Sequence, residues 1–146
     1  MRHGISTAEH DALLDVAKKE GLAPINVSVV SVGNTRQYTV LYRKQHLPDW
    51  LLKSQVLESE YQSLVNDQVE AGRYPVYLNV YKHDGKQWVA GVFAKAPSPN
   101  WTARHDMSAA KYQTEYESAR RADMLTRTIA GYDGAGSHMF AAAWSK

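Results

Sequence analysis

Apolar and polar positions follow two rhythms along the chain, and the rhythms recur in a fixed order. His10, Leu14 and Ala17 are spaced for one face of a helix. Ser6 with Glu9 three residues later forms a capping-box pattern, and Gly21 with Pro24 is a stop signal, so 7–20 is predicted helical. Two runs at period two follow, 25–32 and 36–43, around Gly33-Asn34, which predicts a hairpin. The order then returns twice. Tyr61, Val65 and Gln68 mark a helix over 58–71, with strands at 75–82 and 87–94 around Asp84-Gly85. Tyr112, Tyr116 and Ala119 mark a helix over 109–122, with strands at 126–132 and 138–144 around Gly134-Ala135-Gly136. On the strands, Ile25, Val27 and Val29 share a face with their counterparts Val76, Leu78 and Val80. Asn26, Ser28, Tyr77, Asn79, Tyr81, Thr128 and Tyr132 share the other, which is polar and aromatic.

The recurrence is an internal repeat. A shift of 51 residues carries Trp50 onto Trp101, Pro48 onto Pro99, Gly21 onto Gly72, Pro24 onto Pro75 and Val29 onto Val80. The next shift carries Tyr61-Gln62 onto Tyr112-Gln113, Tyr81 onto Tyr132 and Gly85 onto Gly136. The identities fall where backbone and packing demands are strongest. The units are 1–50, 51–101 and 102–146 within a single domain. Pro48-Asp49-Trp50 and Pro97-Ser98-Pro99-Asn100-Trp101 read as connectors. One helix plus one hairpin cannot bury its own apolar face, so the units must stack. The expectation is an α+β fold of three helices and six strands: a curved antiparallel sheet, half-barrel or pseudo-threefold, with the helices on one side and edges open to self-association.

Composition narrows the function. At 146 residues the chain is long enough for an ordinary core, and 44% hydrophobic against 22% charged residues is the balance of a globular domain. The absence of cysteine removes disulfides, thiolate metal sites and cysteine nucleophiles. A net charge of +2 is too even for a nucleic-acid footprint. No apolar run is long enough to span a membrane, and Met1-Arg2-His3-Gly4 lacks the apolar core of a signal peptide.

Candidate chemistry is sparse. Ser108-Ala109-Ala110-Lys111 matches S-x-x-K, the nucleophile motif of β-lactamase-like hydrolases. Its repeat counterpart, Ser6-Thr7-Ala8-Glu9, keeps the serine and loses the lysine, so the shared element is a helix N-cap. No S-D-N or K-T-G element completes a site. The six histidines lack paired metal-ligand spacings, and no phosphate-cradling glycine loop is present, so neither a metal nor a cofactor is expected. His3 and His105, beside Arg2 and Arg104 ahead of equivalent helices, read as backbone-bonding or surface residues. The aromatic residues carry the one hint of recognition. Tyr77, Tyr81, Trp88 and Tyr132 would form a stacking platform for a sugar ring or peptide, whereas Trp50, Trp101 and Trp144 read as wedges between units.

In the third unit the residues Trp101-Thr102-Ala103-Arg104-His105-Asp106-Met107-Ser108, Tyr112-Gln113, Gly131-Tyr132 and Phe140-Ala141-Ala142-Ala143-Trp144 stand in a distinctive order. Arg2-His3-Gly4-Ile5-Ser6 in the first unit, and Tyr61-Gln62, Gly72-Arg73-Tyr74-Pro75 and Phe93 in the second, keep parts of it. The whole chain thereby resembles the bacterial tandem-repeat domain, with its W-x-A-R-H-G-[ML]-[ST], Y-Q, G-Y and Y-A-A-x-W pattern. Two departures stand out: Asp123 replaces the glycine after the third helix, and Lys53-Ser54-Gln55 replaces Arg-His-Gly. Met1 directly precedes Arg2-His3-Gly4, where the pattern has Trp-x-Ala, so the chain reads as opening inside a longer array. Such repeats accompany serine hydrolases resembling β-lactamases, including secreted polyglycine hydrolases of fungi. The resemblance implies a non-catalytic accessory or binding module for a protein, peptide or cell-surface polymer, in a secreted or cell-envelope setting beside an attached hydrolase. A small carbohydrate-binding protein using the aromatic strand face is the alternative, and a serine hydrolase using Ser108 and Lys111 is a second.

Overall fold

A computed structural model of the chain describes residues 1–95, 100–134 and 136–146. The first unit contains β1 (Arg2–Ile5), α1 (Thr7–Lys19), β2 (Ala23–Val32) and β3 (Thr35–Arg43). The second contains β4 (Leu51–Leu57), α2 (Glu58–Glu70), β5 (Arg73–His83) and β6 (Lys86–Lys95). The third contains β7 (Trp101–Met107), α3 (Ala109–Arg121), β8 (Leu125–Gly134) and β9 (Ser137–Ser145). The fold is α+β and built from three repeats, with each predicted helix and hairpin in place. Of the predicted connectors and turns, Pro97-Ser98-Pro99 and Ala135 lie outside the described residues.

Two expectations about the sheet are corrected. Each unit has three strands rather than two, because the segment before each helix pairs antiparallel with the return strand of its own hairpin. The units also keep separate sheets, ordered β1-β3-β2, β4-β6-β5 and β7-β9-β8, instead of merging into one. Trp101 accordingly opens the third unit as the first residue of β7. No helix among the described residues is long and apolar enough to cross a membrane.

Local chemistry fixes the elements. Ser6 caps α1 in a reciprocal box, accepting from Glu9 N–H at 3.3 Å while Ser6 N–H donates to Glu9 Oε2 at 2.8 Å. Ser108 caps α3 by accepting from Lys111 N–H at 3.2 Å. The helices end on a left-handed residue, Gly21, Gly72 or Asp123, with φ of 67°, 75° and 56°. The last carbonyls of α1 are satisfied from beyond it: Leu22 N–H donates to Ala17 C=O and Gly21 N–H to Lys18 C=O.

The units stack in line, β2 against β5 and β5 against β8. Each sheet has a forward face, which carries its own helix and looks towards the next unit, and a rear face. Forward Val27, Val29, Tyr38 and Val40 of the first unit share a core with rear Tyr81, Ala90 and Val92 of the second. Forward Leu78, Val89 and Phe93 of the second, under Tyr61 and Val65 of α2, share the next core with rear Ala130 and Ala141 of the third. Behind them Ala142 and Trp144 are closed by Ala119, Tyr112 and Tyr116 of α3. Side chains also bridge the sheets: Val29 N–H donates to Asn79 Oδ1 at 3.2 Å, and Leu78 N–H to Thr128 Oγ1 at 3.0 Å.

Candidate binding groove between the second and third units

Where α2 leans over the third sheet it leaves a cavity of about 510 Å³. Val65, Leu78, Ala142 and Ala143 form its apolar base, Tyr61 and Trp101 its aromatic sides, and Gln62, Asn66, Arg104 and His105 its polar rim. Trp101 is half-buried, 4.4 Å from the Tyr74 ring. Beyond Trp101 a second hollow of about 260 Å³ continues along Val76, Arg127 and Ser145. The two hollows share Pro75, Trp101 and Ala143. An apolar floor with polar groups at the rim is the usual makeup of a recognition site.

One end of the groove is closed by a polar cluster from both units. His105 Nδ1 lies 2.8 Å from Asp106 Oδ2, and Nε2 lies 2.7 Å from Gln62 Oε1. The His105 ring meets Tyr61 edge-on at 5.8 Å. Tyr132 OH donates to Asp106 Oδ1 at 2.7 Å, and Asp106 N–H donates back to the Tyr132 oxygen at 3.0 Å. Asp106 can do this because its backbone is left-handed, φ 52°, at the position that Gly4 fills in the first unit with φ 62°. Burial and the neighbouring Asp106 charge raise the carboxyl pKa of Glu58. Burial pushes Asp106 upwards too, yet hydrogen bonds from Tyr132 and His105 outweigh it and hold Asp106 low. Glu58, His105 and Asp106 bring ligand atoms within 4.8 Å of one another, so a cation would find its donors here, although these atoms already bond to each other, Gln62 and Tyr132.

The platform predicted from sequence is distributed differently. Tyr77, Tyr81 and Trp88 lie at the first junction and Tyr132 at the second, because the face they share looks onto the preceding unit. Tyr81 is buried and donates from its hydroxyl to Ser54 C=O at 2.7 Å. Trp88 donates to His83 C=O at 3.1 Å and lies under the Arg36 guanidinium at 4.4 Å. Tyr132 reaches the edge of the polar cluster through Asp106. Trp50 sits at the first junction beneath Lys18, whereas Trp144 is buried in the core of its own unit. Ser108 is engaged as the α3 cap and Lys111 Nζ pairs with Glu115 at 2.8 Å. Gln62, Asn66 and Arg104, which rim the groove, escaped the sequence reading. They lie on elements from two units, and one motif, Tyr61-Gln62, was the available signal.

A family model described as a polyglycine hydrolase-like structural repeat matches this chain three times, over residues 1–45, 48–96 and 98–146. No curated protein matches it.

Proposed function

Because the chain belongs to the polyglycine hydrolase-like structural-repeat family, we propose that it is a non-catalytic binding module whose inter-unit groove takes an extended peptide segment. The groove along α2, continuing past Trp101, carries this reading. The two hollows meet at Pro75, Trp101 and Ala143, an arrangement that suits a chain running past Trp101. A peptide would lay its backbone on the apolar floor, stack on Trp101 and exchange amide hydrogen bonds with Gln62, Asn66 and Arg104. The family description makes a glycine-rich chain the first probe, since a peptide without side chains is read through its backbone. Ser108 Oγ serves as the α3 cap and Lys111 Nζ pairs with Glu115, which supports the non-catalytic reading.

A glycine-serine peptide titrated into the labelled protein should shift the amide resonances of Asn66, Ala103 and Arg104. Trp101→Ala should weaken binding about tenfold, the loss expected of an aromatic hot spot. Asn66→Ala, at an exposed rim position, should weaken it with the fold intact. Shifts absent at millimolar peptide would remove the groove reading. Covalent labelling by a fluorophosphonate that disappears in Ser108→Ala would replace it with a hydrolase.

A further inference from the structure

The chain makes the same junction twice and, among the described residues, leaves both halves of a third uncovered. At the first junction, rear-face Tyr81, Ala90 and Val92 are buried against the first unit, and at the second, Ala130 and Ala141 are buried against the second unit. The first unit carries Val30, Thr39 and Leu41 at the positions of Tyr81, Ala90 and Val92. No described residue stacks on that face at Val30, which is 53% exposed, or at Val32 beside it, 56% exposed, while Thr39 and Leu41 are half-buried. The forward face of the third unit is open in the same way. Ile129 is 47% exposed, whereas its counterparts Val27 and Leu78 are buried at the two junctions, and Leu125 is 63% exposed against a buried Ala23.

The polar half of the junction is present too. Thr128 accepts from Leu78 N–H of the preceding unit, and one repeat earlier the Tyr77 hydroxyl meets the backbone of Val27. Asn26 is the third member of that series and projects from the open rear face. Its repeat-equivalent donor is Ile129 N–H, on the open forward face at the other end of the molecule.

We propose that these two faces are the complementary halves of a head-to-tail interface between copies of this chain. The rear face of one copy seats on the forward face of the next, continuing the stack with Asn26 Oδ1 accepting from Ile129 N–H of the neighbouring copy. The occupant is a second copy because the face it must fit has already been fitted twice by the same repeat. Both outer faces expose valine, leucine or isoleucine, the apolar surface that a contact between stacked units buries. The interface is heterologous, since different patches meet, so it propagates into an open series or closes as a ring.

The test uses the full chain by sedimentation velocity from micromolar to millimolar concentration. The wild type should show assembly that grows with concentration. Val30→Glu disables the rear face and Ile129→Glu the forward face. Both positions are exposed, so the thermal melts should match the wild type, and each variant alone should stay monomeric. Mixing the two leaves one good forward face and one good rear face, so the mixture should stop at a one-to-one dimer. A wild type that stays monomeric at millimolar concentration overturns the proposal. So does assembly that survives in either variant alone, or a mixture that forms no dimer.

Discussion

The imidazole of His10 fills the slot that Tyr61 and Tyr112 occupy in the later units. It is fully buried, stacked on Tyr38 at 4.4 Å, and neither ring nitrogen has a hydrogen-bond partner among the described residues. Burial lowers its pKa below the ordinary 6.5 because charging it here would strand a cation. The neutral ring is therefore the folded form, so stability is full above 6.5 and is lost as the pH falls through the depressed folded pKa. His10→Phe keeps the stack and removes two orphaned polar atoms, so it should stabilise by about 1–3 kcal/mol. It should also flatten the slope of urea-unfolding free energy below neutral pH. Asp123 is the second residue at odds with its surroundings. The left-handed position that ends each helix is glycine in two units, and an aspartate held there with φ 56° is strained. Asp123→Gly should raise the unfolding free energy by about 1 kcal/mol, read as a higher urea midpoint with an unchanged denaturant slope. The sequence marked this aspartate as a departure, and the backbone angle supplies its physical cost.

Among the elements, the helices and hairpins were legible because each carries its own period and punctuation. Helix bounds came within a residue, since caps and left-handed stops are local signals. The strand ahead of each helix was missed. β1 is four residues of largely exposed polar chain, and β4 and β7 are broken by register shifts at Lys53/Val56 and Arg104/Met107. In β7 the alternation Trp101, Ala103, His105, Met107 was nevertheless present to be read. Which face of a strand meets solvent was not legible, because it depends on the neighbouring unit: Tyr81 and Val30 are repeat equivalents with opposite burial. The junction between β5 and β8 turns on one side chain, Thr128, whose hydroxyl satisfies an otherwise unpaired edge N–H in a buried setting. Thr128→Val keeps the shape and orphans that donor, so it should destabilise by about 1–3 kcal/mol in chemical denaturation. The Glu58–Asp106 pair makes the same junction pH-dependent in two directions. The raised Glu58 contributes stability that is present below its ordinary 4.5 and lost as the pH rises through its folded value. The lowered Asp106 contributes stability that is present above its ordinary 3.8 and lost as the pH falls through its folded value. Glu58→Gln should abolish the loss on the alkaline side and leave the acid limb, as read from unfolding free energies at several pH values.

At the scale of the whole molecule, two of the three cores belong to two units at once. The first joins Val27 and Val40 to Ala90 and Val92, and the second joins Phe93 and Leu78 to Ala130 and Ala141. No boundary between units is free of shared core, so the units cannot unfold independently in the way beads on a linker would. That coupling is the price of stacking sheets that are not hydrogen-bonded to one another: the cohesion between units rests on apolar contact and a few side-chain bridges. It also explains why the groove lies at a junction, since α2 packs on its own sheet and leans over the next, whose strand β7 supplies the opposite wall. Phe93 sits at the centre of the second core, fully buried beneath Tyr61 at 6.5 Å between ring centroids. Phe93→Ala should cost about 3–5 kcal/mol. If the cores are coupled as their membership implies, the loss will appear at every probe together. The near-ultraviolet signal of Trp144 in the third unit, the fluorescence of Trp50 at the first junction and the far-ultraviolet helix signal should all shift to one lower midpoint. A variant in which Trp144 melts early while Trp50 keeps the wild-type midpoint would show the units to be separable, and the stack to be three neighbours rather than one cooperative body.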